Sequence, residues 1–264
     1  MTAGAEFGRL REPLEWPGSD EKLDILGVRF DRLTREQALA KMESTFGSGN
    51  AWKVYIVNAH TMNLAWEDPG FREVLNSADL VLNDGSGAQI ASRLAGSPFP
   101  DNLVGTDLAP QLCQVGARSG KSVFFLGGKP GVAEQAAATL AQQIPGLRVA
   151  GAFHGYFSAS ESDLVVDRVN QSGACILLVA FGNPIQEKWI HANAPFLRCD
   201  LSIGVGGLFD HLSGRLRRAP LWVRQMGSEW LFILFWQPHK WRRYLFGNPL
   251  FLARLMVHHF GWNR

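Results

Sequence analysis

The stretch Ala78-Asp79-Leu80-Val81-Leu82-Asn83-Asp84-Gly85-Ser86-Gly87 sets a carboxylate where chemistry can be done. A short apolar strand stops at Asp84, turns on glycines, and leads into a segment, Ala88 to Leu94, with helical periodicity. In open α/β sheets, ligands sit outside the carboxyl ends of the strands. The helix that follows aims its amide-rich N-terminus at the same place, which suits an anionic substrate. An Asp there can act as general base on a hydroxyl within hydrogen-bond reach. Asp-Gly is also ordinary turn chemistry or a helix N-cap, so the local pattern needs support from elsewhere in the chain. Asn58, which ends the β run Trp52 to Val57, is a second polar residue at a strand end. His60 follows it, either lining a site or serving as a cap or packing residue.

Glycine runs supply that support. Gly127-Gly128-Lys129-Pro130-Gly131, Gly182-Asn183-Pro184 and Gly204-Val205-Gly206-Gly207 each follow an expected strand. Glycine permits close backbone approach, and a helix N-terminus favours a diphosphate. None of the runs is a G-x-G-x-x-G or Walker A sequence. Three on one sheet edge point to a nucleotide-type ligand.

Other chemistries find little footing. There is no Asp-x-Asp pair of the kind metal-dependent sugar-nucleotide enzymes use, and the seven His have no ligand spacing, so no metal and no cofactor is expected. No Gly-x-Ser-x-Gly elbow is present. Cys113, Cys175 and Cys199 lack metal or redox spacing and read as buried small residues in a reducing compartment.

The elements that must position these residues alternate strand and helix. A strand is expected over Ile25 to Phe30, and Thr34-Arg35-Glu36-Gln37 reads as a capping box opening a helix to about Thr45. After the strand to Val57, a helix runs through Trp66, and Asp68-Pro69 begins another to Asn76 as N-cap and N1. Thr106 to Arg118 is helical. Strands at Ser122 to Leu126, Leu147 to Ala152, Cys175 to Ala180 and Leu201 to Val205 alternate with helices at Val132 to Gln143, Glu161 to Asn170 and Ile185 to Asn193. Strands apolar on both faces imply a Rossmann-like, mostly parallel sheet with helices on both sides. The expected organisation is a flexible segment over residues 1–23, an α/β catalytic domain over 24–213 and a helical basic and aromatic appendage over 214–264.

The appendage differs in charge. Residues 215–264 hold eight Arg and one Lys against one acid, Glu229, a balance of +8 in a chain whose formal net charge is +2. They also hold five of the nine Trp, which with the arginines suits an anionic membrane surface. Packing onto the body is the competing reading, and nucleic acid the least favoured. The longest apolar tail run, Leu231 to Trp236, is far short of the about 20 residues a span needs. An apolar tail off the membrane must hide somewhere, so self-association into a homo-oligomer is also open.

Taken in order, the motifs Val57-Asn58-Ala59, Ala78 to Gly85, Gly105-Thr106-Asp107-Leu108, Phe125 to Val132, Gly151 to Phe157, Phe181 to Trp189, Gly204 to Asp210, Arg218-Ala219-Pro220, Glu229-Trp230 and Arg243-Tyr244 resemble the WecG/TagA/CpsF family, glycosyltransferase family 26. The resemblance covers about residues 24–252. It implies metal-independent, inverting transfer of a sugar from a UDP-sugar, of the UDP-glucose or UDP-N-acetylmannosamine type, to a polyprenyl-diphosphate-linked saccharide in surface-glycan synthesis. By the same resemblance Asp84 matches the base, Asn58 a polar residue beside it, and Gln186 a residue near the donor. Gly127, Gly128, Gly131, Gly182, Pro184, Glu187, Gly206, Gly207 and Asp210 fall in the nucleotide-sugar motifs. Arg215, Arg218, Arg224 and Arg243, with His60 and Thr106, would face the acceptor diphosphate, and the appendage would lie on the cytoplasmic face of the membrane. Three positions depart from the family pattern: Ile56 in place of Thr, Asn102 in place of Arg, and Ile233 in place of Arg. Two other readings stay open: a dinucleotide-dependent oxidoreductase, and a non-enzymatic nucleotide-binding protein of the membrane surface.

Overall fold

In the computed structural model the described residues are 22–216, 241 and 243–259. Six parallel strands form the central sheet: β3 (Trp52–Val57), β4 (Leu80–Asn83), β5 (Ser122–Gly127), β6 (Arg148–Phe153), β7 (Ile176–Ala180) and β8 (Leu201–Gly204). Their order is β4-β3-β8-β7-β5-β6, with β8 filling the gap between β3 and β7. The Rossmann-like α/β architecture expected from alternation is therefore present. A separate antiparallel hairpin, β1 (Lys22–Ile25) and β2 (Val28–Asp31), occupies the place of the single strand expected over Ile25 to Phe30. The reason is a tight turn at Leu26 and Gly27, both with positive φ (55° and 82°), which the apolar pattern around it conceals. Lys22 and Leu23, expected in the flexible segment, already belong to β1; residues 1–21 lie outside the described residues.

Period-two alternation sends the strand side chains to two cores. Tyr55, Val57, Val81, Phe124, Leu126, Leu177 and Val179 join one buried cluster. It is covered by α2 (Ala59–Glu67), α3 (Pro69–Asn76), α4 (Gly85–Leu94), α7 (Ser162–Gln171), α8 (Ile185–Asn193) and the hairpin. Val54, Ile56, Leu82, Phe125, Leu178 and Ile203 join the other, under α1 (Arg35–Ser44), α5 (Gly105–Arg118), α6 (Val132–Gln143) and α9 (Leu208–Leu212).

Helix starts follow local chemistry. Thr34 and Gln37 form the expected capping box of α1. Asp68 caps α3 by accepting from the Phe71 amide, with Pro69 at the first helical position.

A short π-type turn (Arg243–Gly247) leads into α10 (Asn248–His259). This helix lies against α2 and α4. Phe251 and Leu255 are buried in the first core cluster. Arg254 donates to the carbonyl (3.1 Å) and side-chain oxygen (2.9 Å) of Asn63, and its other nitrogen meets Glu67 at 2.7 Å. Asn63 in turn donates to the Gly247 carbonyl at 2.7 Å. The last described helix is thus part of the body's packing, while Leu245, Phe246, Leu250, Met256 and Val257 stay exposed.

Candidate active site

The sheet itself brings the two polar strand ends together. In the parallel β3–β4 pair, Val57 lies opposite Asn83, so the next residue of each strand, Asn58 and Asp84, stand side by side at the carboxyl edge. Asn58 Nδ2 approaches Asp84 Oδ2 at 3.4 Å.

Asn58 does two jobs with one amide. Its Oδ1 accepts from the His60 and Thr61 amides (3.1 and 3.2 Å) and the Thr61 hydroxyl (3.2 Å), capping α2. Capping thereby fixes which end of the amide faces Asp84. Asp84 sits at the N-cap position of α4, yet its side chain makes no capping bond. The turn chemistry of Asp-Gly is satisfied by another residue: Asn102 Oδ1 accepts the Gly85 amide at 2.8 Å. The Asp84 amide itself donates to the Val57 carbonyl at 3.0 Å.

The departure at 102 therefore has a structural role, holding the backbone that follows Asp84. Ile56 has one as well. It is buried, and a Cβ on Gly105, at the start of α5, would lie 3.1 Å from Ile56 Cδ1. Ile233 lies outside the described residues.

The glycine runs divide into two kinds. Gly127 has φ +139°, and a Cβ there would come within 2.4 Å of the Ala180 carbonyl oxygen. Gly128 crowds Val132. Packing of β5 against β7 accounts for Gly127, and the first residue of α6 closing on the turn accounts for Gly128. Gly131, Gly182, Gly206 and Gly207 face open space. At Gly207 the φ of −79° is one any residue adopts, so neither backbone conformation nor crowding requires glycine there.

Gln186 and Glu187, in the first turn of α8, are 1% and 0% exposed. Gln186 Oε1 accepts the Gly206 amide at 3.0 Å and the Gly182 amide at 3.2 Å, while its Nε2 donates to Glu187 Oε1 at 2.8 Å. Burial pushes the Glu187 carboxyl above its ordinary range, although donors from Gln186 and Asn183 pull the other way. The structure thus shows Gln186 bonded within the protein, between two loops. Pro184 sits at the N-cap position of α8, and Asp210 lies in α9, its carbonyl accepting the Leu216 amide at 2.9 Å.

His60 and Thr106 occupy the first turns of α2 and α5, helices that start at the same sheet edge. Arg215 is exposed just after α9. Arg243 opens the π-type turn. Arg218 and Arg224 lie outside the described residues.

The edge therefore offers a carboxylate with an amide beside it, and the loops after β7 and β8 carry glycines, Gly182, Gly206 and Gly207, that face open space. The sequence signature of the Glycosyl transferase WecG/TagA/CpsF family matches residues 23–264. The chain belongs to this family. A dinucleotide-dependent oxidoreductase and a non-enzymatic binding protein are thereby set aside in favour of a WecG/TagA/CpsF glycosyltransferase.

Three relatives carry the name N-acetylglucosaminyldiphosphoundecaprenol N-acetyl-beta-D-mannosaminyltransferase. The Bacillus subtilis (strain 168) enzyme is 31% identical over 189 residues, 72% of this chain and 73% of its own. The Bacillus spizizenii (strain ATCC 23059 / NRRL B-14472 / W23) enzyme is 32% identical over 194 residues, 74% of each. The Staphylococcus aureus (strain NCTC 8325 / PS 47) enzyme is 30% identical over 213 residues, 80% of this chain and 83% of its own.

Two contributors to this WecG/TagA/CpsF site were not singled out for their actual work. Asn102 stood out only as a departure from the family pattern. Asn183, which donates to Glu187 Oε1 at 2.5 Å, lay inside a glycine turn and carried no signal of its own.

Proposed function

We propose that this glycosyltransferase moves a hexose from a UDP-sugar to a hydroxyl of a polyprenyl-diphosphate-linked saccharide in one inverting displacement, with Asp84 as general base. The observation that carries the reading is the position of Asp84. It stands at the carboxyl end of β4 beside the Asn58 amide, and its side chain is not spent on capping α4. Asp84 takes the proton of the acceptor hydroxyl as its oxygen bonds the anomeric carbon. The bond from that carbon to the diphosphate breaks, and UDP leaves with the electron pair. A single displacement inverts the anomeric carbon. The relatives' names, which specify a β-linked N-acetylmannosaminyl product and a diphosphoundecaprenol acceptor, favour UDP-N-acetylmannosamine as donor and that class of acceptor.

The open glycines at 131, 182, 206 and 207 leave room for the donor diphosphate. Arg215, Arg218, Arg224 and Arg243 supply the charge that the leaving UDP and the acceptor diphosphate call for. Among the described residues, no helix is long and apolar enough to cross a membrane. The exposed Leu245, Phe246, Leu250 and Met256, with the basic tail, suit peripheral attachment at the cytoplasmic face; off the membrane, the same surface suits self-association.

The test of the chemistry is Asp84→Asn. Turnover should fall by about 10²- to 10⁴-fold, the share of a general base, with UDP still raising the melting temperature. Turnover within a few-fold of wild type would remove Asp84 from the mechanism. The test of the membrane role spares Phe251, Leu255 and Arg254, because truncating α10 uncovers the core. Phe246→Ser with Met256→Ser should release the protein from anionic vesicles while its melting temperature holds; undiminished vesicle binding would overturn the assignment.

A further inference from the structure

Two loops of the candidate site, after β7 and after β8, are joined by one buried side chain. The Gln186 carbonyl oxygen accepts the amides of Gly182 and Gly206, one from each loop. The Gln186 amide lies across Gly204, where a Cβ would come within 2.7 Å of Nε2. Glycine at 204 is thus the space this side chain occupies. Glu187 completes the arrangement. Its Oε1 accepts from both Gln186 Nε2 (2.8 Å) and Asn183 Nδ2 (2.5 Å), and the Tyr55 hydroxyl donates to its backbone carbonyl at 3.1 Å. The chain of bonds runs from β3 through α8 to both glycine loops.

The chemistry of each partner is specified. Position 186 needs an acceptor for two amides and a donor toward 187 on the same side chain, which a carboxamide offers at this length without having to hold a proton. Position 187 needs an acceptor, and its other oxygen, Oε2, is buried without a hydrogen-bond partner among the described residues. A carboxylate contact to a ligand would leave Glu187 open toward the loops; here it is fully buried.

We propose that Gln186 and Glu187 are positioning residues: a latch that holds the Gly182 and Gly206 loops at a fixed spacing as the cradle for the UDP moiety, without touching the donor. This rests on the donor reading given above. The latch acts by preorganisation. Loops held in their bound arrangement lose less freedom when the diphosphate arrives, so its effect is on donor affinity.

The experiment uses the full chain with UDP as probe, and follows amide hydrogen exchange at Gly182 and Gly206 by NMR. Gln186→Met keeps the length and packing across Gly204 and removes the three bonds of the Gln186 side chain, to Gly182, Gly206 and Glu187. It should accelerate exchange at both amides by about fivefold or more, the loss of a net hydrogen bond, and weaken UDP binding by a similar factor. Glu187→Gln retains an acceptor and places an amide where Oε2 lacks a partner. It should keep both exchange rates and UDP affinity within about threefold of wild type. Slow exchange retained in Gln186→Met overturns the latch. Glu187→Gln behaving like Gln186→Met overturns the role given to Glu187. A wild-type protein that binds no UDP overturns the donor reading and with it the cradle, a failure read from binding rather than from exchange.

Discussion

Replacing Asn58 separates two tasks that the native side chain performs together. Its Oδ1 caps α2 through the His60 and Thr61 amides, and its Nδ2 faces Asp84 at 3.4 Å. Serine caps helices about as well as asparagine but brings no amide to Asp84, whereas alanine does neither. Asn58→Ala should cost about 0.5–2 kcal/mol from the lost cap. In a protein of this size that lowers the melting temperature by about 2–4 °C per kcal/mol. Asn58→Ser should melt within about 1 °C of wild type, since the two cap residues differ little. Both should lose a similar share of turnover. A 3.4 Å contact lies at the weak end of hydrogen-bond geometry, so about 1 kcal/mol, or fivefold in kcat, is the expected size. Asn58→Asp keeps the cap but sets a second carboxylate against Asp84. Two unit charges 3.4 Å apart repel by about 5 kcal/mol at an effective dielectric of 20, an upper figure that movement and water reduce. The pair then holds a proton to higher pH, and the acid limb of the pH–rate profile should rise by about one to three units. The assays are thermal melts and UDP release with a lipid-linked acceptor across pH. If Asn58→Ser melts as low as Asn58→Ala, the cap is misassigned. If it turns over like wild type and Asn58→Asp leaves the profile unmoved, the contact with Asp84 does nothing for catalysis.

Two further outcomes follow from the site. Gly207→Ala, at a backbone conformation open to any residue and facing open space, should shift the melting temperature by no more than about 2–4 °C, the range of a weakened cap. It should raise donor KM by about fivefold or more if the diphosphate passes over that backbone; an unchanged KM would move the donor elsewhere. Burial raises the Glu187 carboxyl above its ordinary value, so the folded state holds that proton more tightly than the unfolded chain. The resulting stability is present at low pH and is lost as pH rises through the folded value. Glu187→Gln has no proton to lose, so its melting temperature relative to wild type should climb as pH rises from the ordinary carboxyl range and then level off. A difference independent of pH would contradict a buried, proton-retaining carboxyl.

What the chain determined locally was read locally. The capping box at Thr34, Asp68-Pro69 opening α3, the strand Trp52–Val57 and the helices Val132–Gln143 and Ile185–Asn193 occur where their patterns indicated. Each depends on residues within a few positions of one another, and those the sequence displays. The carboxyl-edge placement of Asp84 and the glycine turns also followed, because parallel strands all present the same end. The hairpin at Leu26-Gly27 did not: Ile25-Leu26-Gly27-Val28 reads as one apolar run, while the turn is made by positive φ at Leu26 and Gly27 and by the Gly27 amide donating to Asp24 Oδ1 at 2.8 Å.

Tertiary structure decided the rest. Asn58 and Asp84 are 26 positions apart in sequence and meet only because β3 pairs with β4 in the register Val57 to Asn83. Gln186 meets Gly182 within its own loop, but it reaches Gly206 only because β8 inserts beside β7, and strand order leaves no mark on local periodicity. The placement of α10 is of the same kind. Its apolar residues were legible as membrane-facing or self-packing, and only the complementary surfaces of α2 and α4 settle that Phe251 and Leu255 turn inward while Leu250 and Met256 face out. Hydrophobicity says that a side chain leaves water; which surface receives it is a property of the assembled fold.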